Sequence, residues 1–241
     1  MNTLGAIYSA QGKYVEAEQL LIRAMEVTKK AHGSDHPSLT RSMNNLASIY
    51  HKQARYGEAE ALSKRALAIT EKSVGLNHPN YAANLCNHAT ICREMGQHAE
   101  AEALYKQAIG IFENVAGQQH PNFAVGLNGL AKIHFLKGQY SEAESLHQRA
   151  LALTVQAFGP DHPRVAVFTS DLAELYQFQN RYDEAESLIQ HALTIREKAL
   201  GSNHPDVAKS LQQYAALLRQ TDRAADAEQT EARASAMNFS N

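Results

Sequence analysis

Apolar residues recur along the chain at the spacing of an amphipathic helix. In residues 37–78 the first set lies three, four and seven residues after its first member, which places all of its members on one helical face. The set is Met43, Leu46, Ala47 and Tyr50. A polar break near Gln53 separates it from a second set. The second set is Ala59, Leu62, Ala66 and Ile69. This pattern predicts two helices joined by a short turn.

The same pattern returns every 42 residues, without insertion or deletion, and the dipeptide His-Pro marks each return. The dipeptides are His36-Pro37, His78-Pro79, His120-Pro121, His162-Pro163 and His204-Pro205. Proline suits the first position of a helix, and a glycine such as Gly75 follows the second helix, where a left-handed cap is expected. A strict period of this length predicts stacked copies of one helix pair.

The predicted fold is all-α, a series of antiparallel helix pairs in a single repeat domain, residues 1–241. The copies are residues 1–36, 37–78, 79–120, 121–162, 163–204 and 205–241. Met1 aligns with Met43, inside a first helix, so we expect the first copy to be partial, as in a fragment or a frayed start. The last copy is more polar, which suits a capping repeat.

These residues resemble the tetratricopeptide repeat, and more closely the repeats of kinesin light chains. The resemblance is carried by NNLASIY (Asn44 to Tyr50), by YGEAEALSKRALAITEK (Tyr56 to Lys72) and by the closing Gly-x-x-His-Pro. It covers nearly the whole chain. It implies a right-handed superhelical solenoid in which the first helix of each pair lines a concave, peptide-binding groove.

The exposed stripe of the first helix in residues 37–78 is opposite its apolar face. With Arg41 at zero, Asn45, Ser48 and Lys52 lie within about 40 degrees of it at 100 degrees per residue. Asn45 and Asn87 match the second asparagine of the kinesin light chain NNLA motif, which implies a clamp on a ligand backbone. In later copies this position holds Gly129, Asp171 and Gln213.

Taken copy by copy, the stripe predicts a peptide-binding surface. Its residues are Arg41, Asn45, Ser48, Lys52, Asn87, Val125, Leu136, Val167, Asp171 and Phe178. The expected ligand is an extended segment. Its acidic residues would lie over Arg41 and Lys52, and a basic residue would face Asp171. An apolar side chain would rest near the apolar positions, which are Val125, Leu136, Val167 and Phe178. A merely solvated polar face is the alternative interpretation.

Composition narrows the classes of partner. A net charge of −2 gives no support to nucleic-acid binding, and no apolar run reaches membrane-spanning length. The start of the chain lacks the pattern of a signal peptide. Cys86 and Cys92 lie six residues apart and would face different sides of a helix, so no disulfide is expected. The expected location is the cytoplasm.

No catalytic motif is found in the sequence, so no enzyme activity and no cofactor are expected. The Glu-Ala-Glu segments, such as the one at Glu58, stand at helix starts, where negative charge is favourable. The histidines of the His-Pro pairs are spread one repeat apart and are expected to bond locally at helix starts instead of binding metal. His88 replaces Leu46 on the buried face and is expected to be a core histidine with its hydrogen bonds satisfied.

The leading functional interpretation is a non-catalytic scaffold that binds a peptide or protein segment. One alternative is an array that self-associates through its ends. Another is a regulatory segment of a larger signalling ATPase or adaptor protein.

Overall fold

The structure is a computed structural model that describes residues 1–118 and 120–237. These residues form α-helices and connecting turns, with no β-strand in either range. The α-helices are α1 (Asn2–Ala10), α2 (Tyr14–His32), α3 (Leu39–Lys52), α4 (Tyr56–Val74), α5 (Pro79–Glu94), α6 (His98–Ile111), α7 (Pro121–Leu136), α8 (Tyr140–Phe158), α9 (Pro163–Phe178), α10 (Tyr182–Leu200), α11 (Pro205–Gln220) and α12 (Ala224–Ser235). A π-helical segment, Phe112–Ala116, continues α6. The all-α repeat fold is confirmed. None of these helices is both long enough and apolar enough to cross a membrane.

The helices group into two compact units, Met1–Ile133 and His134–Asn241. In the first unit α1 packs on α2, α3 on α4 and α5 on α6, while α2 and α4 also contact the first helix of the following pair. In the second unit α9 packs on α10 and α11 on α12, and α8 packs on α9. The single continuous domain expected from the period stays a prediction.

The repeated alanine of each second helix is completely buried. The column comprises Ala17, Ala59, Ala101, Ala143, Ala185 and Ala227, each with 0% of its surface exposed. Interiors are packed as densely as organic crystals, so a longer side chain would displace its neighbours. The column therefore lies where helices pack closely against each other.

The His-Pro pairs form a recurring helix cap. Nδ1 of His78 accepts a hydrogen bond from the backbone N–H of Asn80, at 3.1 Å, while Pro79 holds the first helical position. The same bond joins His36 to Ser38, His120 to Asn122, His162 to Arg164 and His204 to Asp206, at 3.0–3.3 Å. Each imidazole thus satisfies an N–H that has no partner inside the helix. This is the local bonding expected from the sequence.

One helix start differs from the expected position. Helix α3 begins at Leu39, two residues after Pro37, whereas α5, α7, α9 and α11 begin at the proline itself. The carbonyl oxygen of Pro37 accepts both the N–H and the hydroxyl of Thr40, at 3.1 and 2.8 Å. The other copies hold alanine at the position of Thr40. The threonine hydroxyl therefore stabilises a tighter turn before α3.

The glycine after each second helix has an unusual backbone conformation. Gly75 has φ 80° and ψ 176°, so φ is positive as expected, but the residue is extended instead of left-handed helical. A side chain at this φ would be strained, and glycine adopts it at little cost. The turn from α4 to α5 depends on this freedom.

Candidate peptide-binding groove

A groove of about 450 Å³ lies in the first unit between α3, the end of α4, α5 and the start of α7. Arg41 stands on its wall, and most of the polar residues that line it are asparagines. These amides are Asn44, Asn45, Asn80, Asn84, Asn87 and Asn122. An amide offers both donors and acceptors, so the groove matches the alternating N–H and C=O groups of an extended backbone. We call it the amide groove.

Two of its asparagines belong to a hydrogen-bond relay that joins three helices. Asn44 donates from Nδ2 to Oδ1 of Asn84 at 2.6 Å, and Asn84 donates to Oγ1 of Thr70 at 2.7 Å. The Thr70 hydroxyl then donates to the carbonyl of Ala66 at 2.8 Å. The relay fixes the direction of each amide, and it leaves Oδ1 of Asn44 buried without a hydrogen bond. Such an oxygen is costly to bury alone.

The sequence-predicted residues of the first unit mostly meet here. Arg41, Asn45 and Asn87 line the amide groove. Ser48 and Asn87 line an adjoining cavity of about 90 Å³. Within the described ranges, no hydrogen-bond or ion-pair partner is found for the side chains of these four residues.

Two predicted residues of the first unit lie outside both cavities. Lys52 is exposed on α3, and its Nζ lies 5.5 Å from the centre of the Tyr14 ring, so this charge already has an aromatic contact. Val125 is half-buried on α7. The amide groove is therefore centred on α3 and α5.

Glu94 changes the charge at the end of α5. It occupies the position that Lys52 holds one copy earlier, so the basic stripe does not continue. The imidazole of His51, with Nε2 at 3.7 Å, and the guanidinium of Arg93, at 2.5 Å, lower the pKa of the Glu94 carboxyl to about 2. Glu94 thus stays ionised across the physiological range.

The second unit carries an apolar surface of its own. Leu136, Val167 and Phe178 are 51%, 45% and 56% exposed. The Phe178 ring meets Phe135 edge-on at 5.2 Å and lies 5.1 Å from the Tyr140 ring, so it is held in place despite its exposure. Asp171 is half-buried on α9. These features suit the apolar and acidic part of the predicted surface.

Several groove residues were missed in the sequence. Asn44, Asn84 and Asn122 lay outside the stripe measured from Arg41, and Asn84 faces a buried relay. A signal for them exists, because Asn80, Asn84 and Asn87 are spaced by four and three residues and so share one face of α5.

A family model described as tetratricopeptide repeat matches residues 1–72, 39–114, 122–198 and 165–238. The comparison with curated proteins gives no match. A putative kinesin light chain from Podosopora anserina, with nearly identical TPR-like repeats, shares 27% identity and a TM-score of 0.60 over 84% of this chain and 96% of that one.

Two further solved structures share the fold. BtubC from P. vanneervenii has 20% identity and a TM-score of 0.67 over 94% of this chain and 90% of that one. A thermophilic TPR protein of Thermus thermophilus has 24% identity and a TM-score of 0.62 over 90% of this chain and 96% of that one.

The helix pairs with their buried alanine column define a helical repeat protein. The chain belongs to the tetratricopeptide repeat family, and the predicted similarity to kinesin light chain-like repeats is confirmed. Repeats of this family generally serve as protein–protein interaction scaffolds.

Proposed function

We propose that this chain is a non-catalytic scaffold whose amide groove binds an extended segment of a peptide or protein. The observation that supports this most directly is that Asn45 and Asn87 line the groove and that their amides have no hydrogen-bond partner among the described residues. An extended backbone would exchange hydrogen bonds with these amides. The hydrogen bonds would be shielded from water, which strengthens them.

Charge gives the ligand its sequence preference. Arg41 has no acidic partner in the described ranges, so an acidic ligand residue would supply one. A second acidic residue would approach Lys52. Charged pairs at such a rim set register and association rate more than affinity.

Apolar contacts should carry more of the binding energy. In the second unit, Leu136, Val167 and Phe178 offer exposed carbon surface, with Asp171 on the same helix as the latter two. We propose that this surface takes an apolar side chain followed by a basic residue. In the first unit, half-buried Val125 would contribute a further apolar contact.

The proposed location is the cytoplasm, where thiols stay reduced. Cys86 and Cys92 are both buried and unpaired, which fits a reducing compartment.

The test starts from a peptide array, which supplies a ligand sequence, followed by fluorescence anisotropy with the full chain. Replacing Asn45 and Asn87 together with alanine should weaken binding by about tenfold or more, equivalent to about 1.4 kcal/mol. Arg41→Glu should weaken binding and reduce its salt dependence. The control is Arg23→Glu, at an exposed position of α2, which makes the same charge change away from the groove and should leave binding unchanged.

The apolar surface is tested separately. Leu136→Ala should weaken binding at every salt concentration, whereas Leu76→Ala, at an equally exposed leucine after α4, should not. Light scattering of the free protein shows whether self-association competes. If the groove variants and Leu136→Ala bind every array ligand as the parent does, the proposal is wrong and the ligand uses another surface.

A further inference from the structure

Two neighbouring core positions of α5 differ from the equivalent positions of the other copies. The position of His88 elsewhere holds Leu4, Leu46, Leu130, Leu172 and Tyr214. The position of Cys92 elsewhere holds Tyr8, Tyr50, His134, Tyr176 and Leu218. Only the copy at 79–120 therefore pairs an imidazole with a thiol one helical turn apart. Both residues are buried, with 3% and 0% of their surfaces exposed.

The ligand atoms of these residues converge with a carboxylate. Nε2 of His88 lies 3.6 Å from Sγ of Cys92. A carboxylate oxygen of Glu100, in the first turn of α6, lies within 4.8 Å of the other two ligand atoms. A tetrahedral zinc ion bonded at about 2.0–2.1 Å to nitrogen and about 2.3 Å to sulfur separates those two atoms by about 3.6 Å. The observed separation is thus already that of two ligands on one metal.

The hydrogen bonds fix the tautomer that a metal needs. The single hydroxyl proton of Ser63 goes to the carbonyl of Glu60 at 2.9 Å. The contact of 2.9 Å between Ser63 Oγ and His88 Nδ1 must then be donated by the Nδ1–H. This leaves the lone pair of Nε2 free. Sγ of Cys92 lies 3.6 Å from Nε2 and 3.9 Å from Nδ1, so metal binding would require the imidazole or the thiol side chain to turn. Histidine ligands in metal sites are commonly oriented by such a bond from the other ring nitrogen.

The charges around the cluster suit a dication. Burial lowers the pKa of His88, so its imidazole is neutral and able to bind a metal. Glu60 and Lys64 of α4 and Glu100 also act on His88, and Lys64 is paired with Glu60 at 2.6 Å. Burial raises the pKa of Cys92 to about 11, so without metal it is a thiol. Metal binding would form the metal–sulfur bond and release that thiol proton to solvent.

We propose that His88 Nε2, Cys92 Sγ and a carboxylate oxygen of Glu100 form a binding site for a zinc-class dication, with water as the fourth ligand. A nitrogen, sulfur and oxygen set favours zinc or cobalt over magnesium or calcium, which prefer oxygen ligands alone. Glu100 is exposed and provides the route of entry. This departs from the expectation that His88 serves only as a core histidine. The helical pattern of the sequence does not bring Glu100 of α6 next to it.

The site would connect α5 to the start of α6 within one helix pair. His88 directly follows Asn87, which lines the amide groove on another face of α5. A bound ion would therefore stabilise the helix that carries three of the groove asparagines, independently of whether the groove binds a peptide.

The experiment uses the full chain, reduced and freed of metal with a chelator, and titrated with Co²⁺ and then Zn²⁺. We expect one equivalent of Co²⁺ to give thiolate-to-cobalt charge-transfer absorption, and Zn²⁺ to remove it. Zn²⁺ should also raise the melting temperature, since a ligand that binds only the folded state stabilises it. This absorption requires a sulfur ligand, so cobalt bound by the other histidines alone would not produce it.

Matched variants assign the ligands. Cys92→Ala should abolish the absorption, whereas Cys86→Ala, at the other buried thiol of α5, should retain it. His88→Leu introduces the residue of most other copies and should also abolish it. Glu100→Gln, at an exposed position that does not endanger folding, should weaken affinity by about tenfold or more, an amount equivalent to about 1.4 kcal/mol, while Glu142→Gln one copy later should not.

The result that overturns the proposal is the absence of saturable charge-transfer absorption in the folded parent. Absorption that survives Cys92→Ala, or affinity that is unchanged by Glu100→Gln, overturns it equally. Because Glu100→Gln retains both buried residues, this last comparison stays decisive even if a core variant fails to fold.

Discussion

The ring of Tyr105 occupies the space into which a side chain at Gly129 would project. A Cβ built on Gly129 would lie 2.2 Å from Cε1 and Cζ of Tyr105, well inside van der Waals contact. Tyr105 is itself buried, and its hydroxyl donates to Thr90 Oγ1 at 2.9 Å, because the Thr90 proton goes to the carbonyl of Cys86. Position 129 is equivalent to Asn45 and Asn87. In the copy at 121–162 this position therefore lacks an amide for a steric reason.

Gly129→Ala should destabilise the protein by about 1–3 kcal/mol, since the added methyl overpacks the contact. The unfolding free energy from urea titration measures this. In a Tyr105→Leu background, which lacks the ring atoms that would clash, the same substitution should be much less costly.

Gly110→Ala is the matched control for this prediction. Gly110 is also helical, but a Cβ there would have nothing within 4 Å. Alanine should stabilise α6 by about 0.5–1 kcal/mol at such a position. If both alanine variants are stabilising, a side chain at position 129 does not clash with the Tyr105 ring, and the prediction is wrong.

The alanine column predicts a second overpacking effect. Ala101→Leu should lower the unfolding free energy by about 1–3 kcal/mol, because its side chain is completely buried between helices. Ala103→Leu adds the same atoms to the same helix at an exposed position and should have little effect. Equal melting temperatures for the two variants would show that α6 has room at position 101.

The fold was predictable because its signals recur. The five His-Pro pairs mark the same position in their copies, and so do the six alanines, so one atypical copy does not obscure the pattern. Departures inside single copies were not predictable. The late start of α3 depends on the hydroxyl of Thr40, which no other copy has at that position.

The groove was only partly predictable, for a related reason. A helical stripe identifies residues that share one helix face, and it found Arg41, Asn45 and Asn87. It does not reveal partners on other helices. Asn84 is held by Thr70 of α4, and a carboxylate oxygen of Glu100 in α6 lies within 4.8 Å of a ring nitrogen of His88, so both relationships required the structure.

The histidine caps can be tested at His78, where no ring contact adds to the hydrogen bond among the described residues. His78→Ala should destabilise the protein by about 1 kcal/mol through loss of the bond to the Asn80 N–H. His78→Asn should retain most of the stability, because asparagine is a good cap acceptor. His191→Ala, at an exposed position within α10, is the control and should change little. If His78→Asn is no more stable than His78→Ala, the histidine does not act as a helix cap.

The ionised state of Glu94 should make stability depend on pH. Its folded-state pKa of about 2 lies below the ordinary value of 4.5, owing to His51 and then Arg93. A carboxyl with a lowered pKa contributes stability above its unfolded pKa, and that contribution is lost as the pH falls from about 4.5 to about 2. The parent should therefore exceed Glu94→Gln in melting temperature at pH 6, and the difference should shrink toward zero near pH 2.

The contribution of the interaction between Glu94 and His51 can be measured by a double-mutant cycle over the same pH range. In a His51→Ala background the carboxyl loses its largest favourable neighbour, so Glu94→Gln should have a smaller, less pH-dependent effect. Arg93 remains in that background, so part of the difference should persist at pH 6. If the difference between the parent and Glu94→Gln is the same at pH 6 and near pH 2, Glu94 does not titrate as the ion pairs require. The contact with His51 would then be one of packing alone.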